Sequence, residues 1–173
     1  MSPLPEYVDG LPNICGSEPL VEETLRASRD RAVFLPESRA DFGRIRAACA
    51  IALHMHQPLI PAGGGDLSTA AVISNLKYMW DNQGIGDNYN APAFHWCYKR
   101  IGEFVPQLIR EGQELRVMLE YSGTLFHGMR AMGLNDVFDA LKNATCNPDY
   151  RRGIEWLGCP WGHAVAPSTP AQD

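Results

Sequence analysis

The 173-residue sequence has no apolar run of the roughly 18 residues that a membrane-spanning helix needs. Its first residues have neither the basic start nor the apolar segment of a signal peptide. The 15 Lys and Arg residues are outnumbered by 20 Asp and Glu residues, which gives a formal net charge of −5. We therefore expect a cytoplasmic protein with neither nucleic acid nor a membrane as its partner.

Cysteine patterns and phosphate-binding motifs are also missing. The five cysteines form no C-x-x-C pair, which is typical of separate thiols in a reducing compartment. The glycine-rich residues 61–66 lack both the Lys-Ser/Thr of a phosphate loop and the spacing of a dinucleotide fingerprint, so we expect no cofactor. A content of 45% hydrophobic and 20% charged residues is typical of one globular domain.

Residues 47–56 predict a strand with two different faces, because successive side chains alternate across a strand. One face carries small alanines followed by His54 and His56, so both histidines point the same way at the carboxyl end. Pro58 and the glycines after it are predicted to end the strand in a loop. The opposite, apolar face carries Cys49, Ile51, Leu53 and Met55.

Strands alternate with helices along the rest of the chain, which is typical of an α/β fold with a parallel sheet. Residues 1–46 precede the first strand and are predicted to form an arm, irregular to residue 16, with a helix over 17–33. The later predictions are a helix over 67–82 capped by Asp66, a helix over 93–112, a strand over 115–121, a helix capped by Ser122, a helix capped by Asp136 and a strand over 153–158.

The last predicted strand and its loop carry further candidate residues. Glu155 lies among apolar residues, and a buried carboxylate is costly unless it is paired. It points either into a site or to solvent on an edge strand. Trp161 follows in the loop, where an exposed indole can stack against a sugar face, unless it covers the core. His163 lies two residues further on.

These residues carry a resemblance to a known family. The triplet His56-Gln57-Pro58 at the end of the first strand resembles the first motif of glycoside hydrolase family 57. Residues 153–155, with His163 and Pro167 downstream, are similar to the second motif, and residues 121–125 resemble the corner between the two. Members of this family are retaining enzymes that act on α-glucans.

The resemblance covers residues 47–173 and implies the N-terminal part of a (β/α)7 barrel, which three strands cannot close. It implies an α-glucan or oligosaccharide substrate, with the His-Gln-Pro triplet and the second-motif glutamate lining the pocket. The family's glutamate nucleophile and aspartate acid/base, which must lie about 5–5.5 Å apart, belong to later motifs. We therefore assign no catalytic residue and expect this chain alone to be inactive. The predicted substrate-binding residues are His54, His56, Gln57, Glu155, Trp161 and His163.

Two other functions remain open from the sequence. His54 and His56, with His163 or Glu155 converging on them, could supply three ligands to zinc in a metal-dependent carbohydrate-active enzyme. A non-enzymatic module would bind oligosaccharides without turnover, whereas an N-terminal fragment would do neither until the rest of the barrel is supplied. The fragment hypothesis also predicts exposed apolar surface where that remainder would pack.

Overall fold

The computed structural model describes residues 7–8, 11–12, 16–29, 41, 43–47, 49–62 and 66–169. Contacts divide the chain into two units, Met1–Ser38 and Arg39–Asp173. The predicted boundary, after residue 46, lies eight residues beyond this division.

The described residues of the first unit form a short two-stranded ladder and one helix. Strand β1 (Tyr7–Val8) pairs antiparallel with β2 (Leu11–Pro12), so the prediction of an irregular arm is wrong there. An Asp-Gly dipeptide is typical of hairpin turns, so the sequence at residues 9–10 could have signalled the pairing. Helix α1 (Glu18–Ser28) begins after Ser17 as predicted, although the Ser17 side chain makes no capping hydrogen bond. The rest of the predicted helix, beyond residue 29, lies outside the described residues.

The second unit alternates strands and helices. None of the helices in the described part of the chain is long and apolar enough to cross a bilayer. In chain order its elements are β3 (Ala52–Met55), β4 (Leu59–Ala62), β5 (Ala71–Ser74), α2 (Asn75–Asp81), α3 (Ala91–Arg110), β6 (Val117–Tyr121), α4 (Gly123–Ala131), α5 (Asn135–Cys146), α6 (Pro148–Arg151) and β7 (Ile154–Trp156).

The main sheet is parallel, with strand order β3-β6-β7. Helices connect its strands, as parallel pairing requires. The predicted α/β class with three parallel strands is therefore confirmed. Over the described ranges the outer strands β3 and β7 do not pair with each other, so the sheet is open. His54 lies opposite Glu120, and Leu119 lies opposite Trp156.

One face of this sheet is apolar and faces the helices. Leu119 and Tyr121 are buried on it, and the Tyr121 hydroxyl donates to the backbone oxygen of Tyr98 on α3 at 2.8 Å. Full burial of a side chain the size of Leu119 contributes about 1.5–3 kcal/mol. The core includes Leu76, Met79, Tyr98, Val105, Leu119, Tyr121, Leu125, Met129, Val137, Leu141 and Ile154. The opposite face carries His54 and Glu120 and is open to solvent.

The segment after β3 differs most from its prediction. Residues 58–65 were expected to form a loop and residues 67–82 a helix, but β4 pairs antiparallel with β5. Val72 and Ile73 are β-branched, which favours a strand over a helix. Helix α2 begins only after Ser74, whose hydroxyl accepts from the Leu76 backbone N–H at 3.2 Å. Asp66 caps no helix; its carboxylate accepts from the Ser68 N–H at 2.9 Å and closes a turn.

Several predicted boundaries change by a few residues. The three parallel strands are shorter than the predicted 47–56, 115–121 and 153–158. Helix α3 contains Pro106, as expected, and Gly112 after its end has a φ of +85°, which suits glycine at a helix terminus. Ser122 caps α4 as predicted. Asp136 does not cap α5; it lies in the first turn and binds His95 on α3.

Candidate functional site

Three imidazoles meet at the carboxyl edge of the parallel sheet. His54 and His56 come from β3 and the residue after it, and His163 comes from the loop that follows β7. The His163 ring centroid lies 4.6 Å from that of His54 and 4.3 Å from that of His56, while the His54 and His56 centroids are 6.1 Å apart. We call these three residues the histidine cluster.

Glu120 holds His54 from the neighbouring strand. The two residues are register partners, so their side chains share one face, and His54 Nδ1 donates to Glu120 Oε2 at 2.7 Å. This hydrogen bond is the main reason that the pKa of Glu120 is lowered. The carboxylate therefore stays ionised and fixes the orientation of the His54 ring.

His56 is held in the same way by Ser122 at the end of β6. His56 Nδ1 lies 2.7 Å from Ser122 Oγ, and this buried hydroxyl also accepts from the Leu125 N–H at 3.3 Å as the cap of α4. Burial, and then electrostatic repulsion from His163 and His54, lower the pKa of His56, although Glu120 opposes them. These effects favour the neutral imidazole of His56, which can hydrogen-bond to an uncharged ligand.

Gln57 directly follows His56 and is buried, with its amide group facing α2 and α3. Its Nε2 donates to the Tyr98 hydroxyl at 3.2 Å, and its Oε1 accepts from Asn75 Nδ2 at 2.8 Å. Burial raises the pKa of Tyr98, despite the hydrogen bond with Gln57, so the hydroxyl remains protonated. Both ends of the Gln57 amide are thus used to join the end of β3 to α2 and α3.

The loop after β7 reaches the sheet edge through backbone contacts. The Thr124 N–H donates to the Trp161 oxygen at 3.1 Å, and the indole ring lies directly over Gly123 at the start of α4. Trp161 is 55% exposed, so part of its indole ring is open to solvent. His163 has a φ of +58°, an unusual conformation for a residue with a side chain.

Glu155 lies on the same face as the histidine cluster, but further from the edge. It is opposite Met118, whereas Glu120 and His54 lie two residues closer to the carboxyl ends. Its side chain is exposed. Glu155 and Gln57 remain predicted pocket residues, and neither contributes an atom to the cluster of potential metal ligands described below.

The sequence-based choice of site residues missed Glu120 and Ser122. Both occupy the end of β6, spaced by two residues in the same way as His54 and His56 on β3. Because the carboxyl ends of parallel strands meet at one edge, this matching spacing could have indicated the contacts.

His54, Glu120 and His163 bring one ligand atom each to within 4.8 Å of the other two. This group contains one carboxylate, whereas a retaining glycosidase needs two. Comparison with protein-family models, with curated proteins and with solved structures found no match to this chain.

Proposed function

We propose that residues 47–173 supply one wall of an α-glucan site in the N-terminal part of a retaining glycoside hydrolase barrel. The observation that carries the proposal is the histidine cluster, which comes from two separate segments and lies at the carboxyl edge of a parallel sheet. Active sites of barrels with alternating strands and helices are built at this edge. Sequential strands that are also spatial neighbours, in the order β3-β6-β7, fit such a barrel.

In this proposal the histidine cluster binds sugar hydroxyls. Glu120 and Ser122 fix the rings of His54 and His56, which lowers the entropy lost when a ligand hydrogen-bonds to them. Trp161 offers its open face to a glucose ring. Gln57 acts as a positioning residue, because its amide is already hydrogen-bonded on both sides.

Bond cleavage is assigned to other parts of the barrel. The group formed by His54, Glu120 and His163 contains a single carboxylate, and that carboxylate is hydrogen-bonded to His54. Double displacement needs a nucleophile and an acid/base about 5–5.5 Å apart. We therefore expect no measurable hydrolysis or transglycosylation by this chain.

The assembled cluster changes one expectation. The fragment hypothesis predicted that this chain would not bind glucan alone, but the histidine cluster is assembled from residues of this chain. We now expect weak binding, with a Kd of about 1–10 mM, equivalent to about 3–4 kcal/mol. A self-sufficient carbohydrate-binding module, the non-enzymatic alternative, would bind at about 1–100 μM.

Calorimetry with maltoheptaose, with cellohexaose as the β-linked control, tests the proposal. We expect His56→Ala and Trp161→Ala to weaken maltoheptaose binding at least about fivefold, a loss of about 1 kcal/mol. Trp96→Ala is the matched control, because Trp96 on α3 is 54% exposed and Trp161 is 55% exposed. Equal binding of both sugars, or an equal effect of the Trp96 and Trp161 variants, would contradict an α-glucan wall at this edge.

A further inference from the structure

We infer that His54, Glu120 and His163 form a binding site for a divalent transition metal ion such as zinc, with at least one position open to an exogenous ligand. The inference does not depend on glucan binding. It starts from the ligand atoms of these residues, which all lie within 4.8 Å of one another. Around a tetrahedral zinc ion with bonds of about 2.0–2.2 Å, ligand atoms are about 3.4 Å apart. Binding therefore needs shifts of about 1 Å or less in each side chain.

Two of the three ligands, His54 and Glu120, lie on paired strands of the parallel sheet. His54 and Glu120 are opposite each other on the hydrogen-bonded strands β3 and β6. Their side chains already meet at 2.7 Å, so an ion between Nδ1 and Oε2 would separate them by about 0.7 Å. The third ligand, His163, closes the group from the loop after β7.

The backbone at His163 supports a functional role for its position. A φ of +58° is costly for a residue with a Cβ atom, and residues with such strained backbone cluster at functional sites. The conformation brings the imidazole over both strand histidines, with a centroid distance of 4.6 Å to His54. Coordination of an ion by the His163 imidazole would account for the strained backbone at this residue.

The chemistry of the ligand set selects the ion. Two imidazoles and one carboxylate suit zinc and its first-row neighbours, whereas calcium and magnesium prefer sites built from oxygen. Three protein ligands leave a fourth position free, as in catalytic rather than structural zinc sites. Solvent can reach this position, because the His54 side chain is 46% exposed and Glu120 is 21% exposed.

Zinc titration of the tag-free 173-residue chain, stripped with a chelator and kept reduced, tests the inference without any sugar. We expect about one zinc per chain by mass spectrometry of the metal, and tetrahedral absorption bands when cobalt replaces zinc. His163→Ala and Glu120→Gln should each weaken zinc binding at least about tenfold. His95→Ala is the control, because His95 also pairs with a carboxylate, Asp136, away from the site.

Three results would overturn the inference. The first is binding of much less than one zinc per chain. The second is equal zinc affinity in the wild type and the His163 and Glu120 variants. The third is a thiolate-to-cobalt charge-transfer band, which would show that a cysteine holds the ion, in place of the proposed set of two imidazoles and one carboxylate. Glucan binding measured in the presence of chelator is independent of all three, so the two proposals can fail separately.

Discussion

At the scale of single residues, Ser122 has one role in the fold and another in the candidate site. Its buried hydroxyl caps α4 through Leu125 and contacts His56 at 2.7 Å. We expect Ser122→Ala to lower the free energy of unfolding by about 1–2 kcal/mol, as loss of a helix cap does. It should also change the His56 imidazole resonances in NMR spectra.

Ser74→Ala provides the comparison for this prediction, because Ser74 caps α2 through Leu76 and lies away from the histidine cluster. We expect a similar loss of stability without a change at His56. If both variants left the His56 resonances unchanged, the contact between His56 and Ser122 would be absent in solution.

The sequence allowed His54 and His56 to be chosen by a local rule, whereas His163 was chosen from the resemblance to the second family motif. Alternation along β3 gives His54 and His56 a common face, and the strand-to-loop transition identifies the site edge. Glu120 and Ser122 could not be chosen with the same ease, because their role depends on the register between β3 and β6. The left-handed backbone of His163 likewise has no signature in the sequence around it.

At the scale of elements, Gly102 allows α3 and α5 to approach closely. A Cβ atom at Gly102 would lie 2.4 Å from the backbone carbon of Ala140 on α5. Backbone cannot move aside as a flexible side chain does, so we expect Gly102→Ala to destabilise the fold by about 1–3 kcal/mol in urea unfolding. Gly84→Ala should change stability by less than about 0.5 kcal/mol, because a Cβ there meets nothing within 4 Å.

The contact between Asp136 on α5 and His95 on α3 also connects these two helices, and its contribution to stability depends on pH. Burial acts to raise the pKa of Asp136, but hydrogen bonds and charges from His95 and Lys99 outweigh it, so the pKa is lowered from 3.8. A carboxyl group whose pKa is lowered by folding stabilises the fold above its unfolded pKa and loses this contribution as the pH falls. Asp136→Asn should therefore be less stable than wild type at pH 7, by up to about 1 kcal/mol because the pair is partly exposed.

The difference should shrink as the pH falls below 3.8, and urea unfolding at several pH values measures it. A difference that is the same at pH 7 and pH 3 would show that Asp136 acts through packing or helix propensity and not through its charge.

The β4–β5 hairpin shows where element prediction failed. Ile73, Leu76, Met79 and Trp80 have helical spacing, which predicts one helical face, but Ile73 lies on β5 and only the other three lie on α2. Pairing of β4 with β5, for example Pro61 with Val72, joins neighbouring segments of the chain, and the spacing of apolar residues along one segment does not specify it. Helical spacing and strand pairing compete in such a segment, and strand pairing prevailed here.

At the scale of the whole molecule, the open sheet is the main feature of the second unit. Ile51 before β3 and Trp156 on β7 are large hydrophobic residues that are 60% and 41% exposed. Outer strands also leave backbone groups without ladder partners, which favours addition of further strands. The order β3-β6-β7 and this exposed apolar surface agree with the proposed incomplete barrel.

The most direct test of the glucan proposal follows the five histidine side chains by NMR while maltoheptaose is added up to about 50 mM in the presence of chelator. We predict that the imidazole resonances of His54, His56 and His163 change in a saturable way, while those of His95, paired with Asp136 on the helical side, do not. If the three cluster resonances stay constant, or if His95 shifts equally, the edge of this sheet is not an α-glucan site.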